Sequence, residues 1–131
     1  MRVLIDMNKI FIVLLMIFCH IVDDYYLQKG LLNNLKQKSW WQEQFGYKEM
    51  YKYDYIVGLL VHSFSWAFMI MLPIAFTLNF KVTPFFVFIL IVNMTCHAIV
   101  DDAKANKGLI NLCIDQFTHL CQIILTAIYF L

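Results

Sequence analysis

The sequence predicts an all-α fold, a polytopic membrane four-helix bundle with an interfacial amphipathic segment between helices 1 and 2. Three observations carry this expectation. The 131 residues are 62% hydrophobic and 15% charged, with a mean hydropathy of +0.69, against about 25% charged residues in a soluble domain. Four apolar stretches are close to the roughly 20 residues that cross hydrocarbon as a helix. Turn signals separate the later stretches, Asn79 to Thr83 before Pro84 and Gly108 before the last, which fits a single integral membrane domain over residues 1–131.

The first span is expected from Val3 to Leu27. Arg2 and Lys9 ahead of the apolar run Ile10 to Phe18 imitate a secretory signal, but no small-residue cleavage site follows. Ile17 and Phe18 before Cys19 suit a lipoprotein site poorly, and His20, Asp23 and Asp24 stand where cleavage would come. The segment is therefore expected to remain as a span. Gly30 to Asp54 is the one sizeable polar stretch, with Lys36, Lys38, Lys48 and Lys52 among Trp40, Trp41, Phe45, Tyr47, Tyr51 and Tyr53. Aromatic rings and lysines concentrate at the headgroup level, so an interfacial helix or two is expected there.

Spans two, three and four are expected at Tyr55 to Asn79, Pro84 to Asp101 and Leu109 to Leu131. Asn79 to Thr83 forms a tight turn, and Pro84 suits a first helical turn. Gly108 separates the last two spans. Arg2, Lys9 and Lys81 lie on one side of this topology and Lys29, Lys36, Lys38, Lys48, Lys52, Lys104 and Lys107 on the other, so the positive-inside rule places both termini outside. A bacterial inner membrane is the expected location. The formal net charge of +1 with no dense basic stripe speaks against nucleic-acid binding. Cys19, Cys96, Cys113 and Cys121 lack a C-x-x-C spacing and are expected as buried, reduced thiols.

The ionisable residues inside these spans are the chemical signal, because a charge in hydrocarbon costs several kcal/mol unless it faces a protein interior. His20 precedes Asp24, His97 precedes Asp101 and Asp115 precedes His119, each by four residues, and His62 lies in span two. Residues four apart share a helix face. Span one thus presents His20, Asp24 and Gln28 with Asp23 at the edge; span three presents Asn93, His97, Asp101 and Lys104; span four presents Asn111, Asp115, His119 and Gln122 beside Thr118. His62 stands with Ser63 and Ser65 off its main face. At 1.5 Å of rise per residue, all four histidines fall within roughly 9 to 17 Å of the cytoplasmic ends of their helices.

Imidazoles and carboxylates converging in a bundle core suit one or two divalent ions, Zn²⁺ first and Mn²⁺ or Fe²⁺ as alternatives. The expected ligands are His20, Asp24, His62, His97, Asp101, Asp115 and His119. Asp24, Asp101 and Asp115 are the candidates for acid–base work, with Asp23, Gln28, Asp102, Lys104 and Gln116 in support. Asp23 and Asp102 also suit capping toward water, and Lys104 snorkelling. The competing explanation is a set of intrahelical His–Asp pairs that neutralise one another and hold the bundle together. A short echo, Cys19-His20-Ile21-Val22-Asp23-Asp24 against Cys96-His97-Ala98-Ile99-Val100-Asp101-Asp102, suggests two related hairpins.

Four motifs in order resemble a family of small bacterial and phage membrane proteins known as domain of unknown function 3307. They are H-x-x-x-D-[FY]-x-L-Q from His20 to Gln28, L-L-x-H from Leu59 to His62, H-x-x-x-D-x-x-K from His97 through Asp101 to Lys104, and D-Q-x-x-H-L from Asp115 to Leu120. The chain is also similar in general style to membrane-bound metal-dependent hydrolases, an analogy at the level of fold. No phosphate-cradling glycine motif and no nucleophilic Ser or Cys arrangement is evident. The leading expectation is metal-dependent hydrolysis of an ester, amide or phosphoester in a lipid or other amphiphile at the cytoplasmic interface, with the bilayer as the other partner and the oligomeric state left open. A proton or divalent-cation pathway and a phage-type membrane effector acting by protein interaction are the alternatives.

Overall fold

A computed structural model describes residues 7–131. The order is α1 (Met7–Val22), a π-helical segment Asp23–Leu27 that continues it, α2 (Leu31–Leu35), α3 (Lys38–Phe45), a 3₁₀ turn Glu49–Tyr51, α4 (Asp54–Thr77), α5 (Pro84–Ala105) and α6 (Leu112–Phe130). Among the described residues the fold is all-α, and four helices are long and apolar enough to cross a membrane. The expected start of the first span at Val3 lies outside the described residues. Two other bounds are corrected. The helix of span three continues a turn beyond Asp101 to Ala105, and that of span four begins at Leu112 because Asn111 caps it, its side chain accepting from Ile114 N at 3.0 Å. Thr83 caps α5 in the same way ahead of Pro84, accepting from Phe86 N.

Helix α4 is the hub. Its apolar window is 56% buried, against 17–33% in the other three candidate spans. The core consists of Trp66, Ile70, Met71 and Ile74 from α4 with Met16, Phe86, Ile123 and Ala127 from its neighbours. The outer faces are equally apolar: Phe11, Phe18, Phe88, Phe117 and Ile128 are each at least 60% exposed. A coat of this kind marks a surface that meets something other than water. The thiols depart from expectation, since Cys96 and Cys113 are exposed and Cys19 and Cys121 only half-buried; all four are free.

The polar connection folds back onto the bundle instead of lying apart from it. A five-residue helix such as α2 has little stability alone, and three contacts fix it. The Trp41 indole donates to Leu35 O at 2.8 Å. Asn106 at the end of α5 donates to Lys36 O at 3.1 Å and accepts from Lys38 N at 2.7 Å. Gly58 of α4 admits the Leu35 backbone so closely that a Cβ there would collide with the Leu35 carbonyl. Gly58→Ala is therefore expected to displace α2 and cost about 1–3 kcal/mol, as overpacking against fixed backbone does, read as a lowered thermal midpoint in detergent.

Candidate metal centre

Five segments deliver polar side chains to one end of this bundle, and all four histidines there are at most 3% exposed. His20 comes from the last turn of α1. The π segment that follows, with its i→i+5 register, turns both Asp23 and Asp24 inward, a use to which π turns are often put. Asp23 is fully buried, which leaves it in the supporting place expected for it and sets aside the alternative of a cap toward water. Helix α4 brings His62 and Trp66; α5 brings His97, Asp101 and Lys104; α6 brings Asp115, Gln116 and His119. Lys36, at the end of α2, enters from the polar connection.

The close contacts run between helices rather than along them. His20–Asp24, His97–Asp101 and His119–Asp115 are 3.4, 3.8 and 3.7 Å apart, too long for good hydrogen bonds. By contrast Asp101 Oδ2 lies 2.6 Å from His62 Nε2 and 2.6 Å from Lys36 Nζ, and Lys104 Nζ lies 2.7 Å from Asp115 Oδ2. Intrahelical pairs that neutralise one another do not describe this cluster. The rings also stack across helices: His97 stacks against both Trp66 and His119 with centroid separations of 4.3 Å, and Trp66 and His119 are 5.1 Å apart, so the three rings form one compact cluster.

The hydrogen bonds fix how the imidazoles face. Gln28 donates through Nε2 to Asp23 and to His62 O, so its Oε1 faces His62 Nδ1 and takes that proton. Ser65 holds the other Asp23 oxygen at 2.7 Å. His62 Nε2 and Asp101 Oδ2 lie 2.6 Å apart, and the Lys36 ammonium stands 3.0 Å from the former and 2.6 Å from the latter, so three polar groups from three helices meet at one point. A histidine whose far nitrogen donates to an amide or carboxylate oxygen is the arrangement metal ligands adopt. His20 is engaged otherwise, accepting from the Trp66 indole at 2.7 Å and meeting Gln116 Oε1 at 3.0 Å. With both ring nitrogens in use, it orients the cluster from the edge.

Other buried donors are open. Among the described residues, Asp24 Oδ1, His97 Nδ1, Asp115 Oδ1 and both ring nitrogens of His119 have no hydrogen-bond partner. Buried polar atoms are seldom left so. Asp24, His97 and His119 recur in the groupings whose ligand atoms all lie within 4.8 Å of one another: His20 with Asp24 and His119, Asp24 with His62 and His97, and His97 with Asp101 and His119. The ligands of a tetrahedral Zn²⁺ are roughly 3.4 Å apart, so rotation of buried side chains by about an ångström would close any of these sets. The donor chemistry, imidazole and carboxylate oxygen, fits Zn²⁺, Mn²⁺ or Fe²⁺.

The family described as protein of unknown function (DUF3307) matches residues 10–131. The chain belongs to that family. No curated protein and no solved structure matches it. The match spans α1 to α6 of this DUF3307 chain and so includes every residue of the cluster.

Of the residues singled out from sequence, His62, His97, His119, Asp24, Asp101 and Asp115 meet in the cluster, with Asp23, Gln28, Gln116 and Lys104 bonded around them. Asp102 does not join: it turns to Lys107 at 2.9 Å and Asn106 at 2.9 Å at the outer end of α5, and its carboxylate holds the Lys107 ammonium above the ordinary lysine range. Lys104 pairs inward with Asp115 instead of snorkelling. Thr118 is half-buried and donates to Ile114 O of its own helix. Three participants were missed. Trp66 and Ser65 carry a legible signal, four and three residues from His62 on α4. Lys36 carries none, because only the docking of α2 on Gly58 brings it inside.

Proposed function

We propose that this chain is an integral membrane protein and a metal-dependent hydrolase, acting on an ester, amide or phosphoester of a lipid or amphiphile at the cytoplasmic interface of a bacterial inner membrane, with both termini outside. The observation that carries the reading is that Asp24, His97 and His119, each with an unpartnered buried atom, each belong to two of three overlapping ligand groupings in a cluster short of positive charge. Four carboxylates, Asp23, Asp24, Asp101 and Asp115, stand there against two ammonium groups, Lys36 and Lys104. With neutral imidazoles the deficit is two charges, which one divalent ion supplies. Buried charge without a partner is expensive, so a single Zn²⁺ is favoured, with Mn²⁺ or Fe²⁺ next.

When bound, the ion would polarise the scissile group and lower the pKa of water beside it. His97 with Asp101 and His119, or Asp24 with His62 and His97, would hold it. Asp24 also lines the cavity at the mouth of the cluster, and its open oxygen is placed to accept a proton from attacking water. The Lys36 ammonium faces the same cavity and would meet negative charge as it develops on the substrate. The Asp23–Gln28–His62 chain holds the imidazole in one tautomer throughout.

Conduction of protons or cations fits less well. Beyond the cluster the polar side chains extend to Asn93 and Thr126, bonded at 2.8 Å, and then stop at Ile70, Met71, Ile74 and Ile123, each fully buried. An effector acting by contact alone has no use for an enclosed histidine cluster. Chelation of the detergent-purified protein should abolish hydrolysis of a panel of lipid esters, amides and phosphoesters, and Zn²⁺ or Mn²⁺ should restore it. Turnover that persists at full rate after verified metal removal would defeat the proposal.

A further inference from the structure

We infer that the cavity at the mouth of the cluster recognises an anionic phosphoryl group, which narrows the substrate class to phosphoesters; the catalytic half of this inference rests on the hydrolase reading, and the binding half does not. The cavity has a volume of about 300 Å³ and is lined by Lys29, Lys36 and Lys104, from three separate segments, against two carboxylates, Asp24 and Asp101. The other two carboxylates are set back from it, Asp23 behind Gln28 and Asp115 behind Lys104. The mouth is therefore positive while the floor is negative, and a divalent ion on the floor would raise the excess further.

Donor capacity agrees. An ammonium has three N–H groups. Lys36 directs them at Asp101 and His62 and retains one, Lys104 gives one to Asp115 and retains two, and Lys29 has no partner among the described residues. A phosphoryl group with several charged oxygens can use these donors; a neutral ester or amide would leave them desolvated and unpaired, which selects against it. The volume is at the lower end of ligand pockets, enough for a headgroup. Tyr25 and Leu112 at the rim, 48% and 56% exposed, offer apolar surface where acyl chains would leave toward the bilayer.

The test is calorimetric titration of the metal-replete protein in neutral maltoside micelles with dihexanoyl phosphatidate, inorganic phosphate and dihexanoylglycerol. Phosphatidate binding that weakens about tenfold in each of Lys29→Gln and Lys104→Gln, with no binding of dihexanoylglycerol, is expected. Inorganic phosphate binding as tightly as phosphatidate would uphold the phosphoryl site and assign it to free phosphate rather than a lipid headgroup. Phosphatidate affinity unchanged in both variants, or dihexanoylglycerol binding equally well, would overturn the inference; Lys29 is exposed, so its variant folds whatever Lys104→Gln does. Metal content of the same samples separates the two ideas. Metal-free protein that prefers phosphatidate upholds this site and removes the hydrolase reading, and metal-loaded protein indifferent to the phosphoryl group does the reverse.

Discussion

Replacing His97 with alanine is expected to empty the metal centre, taking the ion content from about one per chain to less than about a tenth. His97 belongs to two of the three candidate ligand groupings and is fully buried, packed against both Trp66 and His119 at 4.3 Å. Loss even of a partner that merely orients a ligand costs about 10–100-fold in metal affinity, and loss of a central ligand costs more. The same stacking makes the alanine variant a packing lesion, with about 2–5 kcal/mol as the scale for emptying a buried site of this size. His97→Gln keeps most of the volume and supplies the folding control. Elemental analysis of detergent-purified wild type, His97→Ala and His97→Gln decides: wild-type metal content in either folded variant would remove His97 from the ligand set.

How far such a centre is legible before folding depends on which forces place each residue. The four long apolar helices are set by hydropathy, which acts locally and in the same sense along 20 residues, so their existence is plain. Their ends are set by capping and by water. Helix α5 continues through Asp101, Asp102 and Lys104 because those side chains find partners that hydropathy does not weigh, whereas α6 waits for its Asn111 cap. The convergence of His62, His97, His119, Asp24, Asp101 and Asp115 is legible as well, since a four-residue spacing fixes a face and the topology fixes the depth.

What the spacing does not fix is pairing across helices. His20 reads as the equal of His97, yet a tryptophan on α4 and a glutamine on α6 occupy both of its nitrogens. Asp23 reads as a supporting residue at the edge of its face or as a cap toward water, and the π turn brings it to Ser65. Lys36 looks like one of several headgroup lysines until the absence of a side chain at Gly58 lets the preceding Leu35 backbone against α4. Each departure comes from a contact between segments far apart in the chain.

Lys36→Met is expected to produce the largest loss of stability in the metal-free protein and a smaller one when metal is present. The ammonium is the only cation beside Asp101 Oδ2 among the described residues, 2.6 Å away, and both groups are buried. Removing one partner of such a pair leaves an uncompensated charge and costs about 3–5 kcal/mol; methionine keeps the length of the side chain, so packing contributes little. The Lys36 ammonium also stands against both Asp101 and His62, a position a divalent ion can take once the tether is gone. Ligand binding to the folded state stabilises it by mass action, so saturating Zn²⁺ should recover much of the deficit and raise the metal content of the variant above that of wild type. Unfolding in mixed maltoside and dodecyl sulfate micelles, followed by tryptophan fluorescence with and without Zn²⁺, measures both quantities. An equal penalty in the two conditions, with unchanged metal content, would mean that Lys36 is a structural counter-charge remote from any ion.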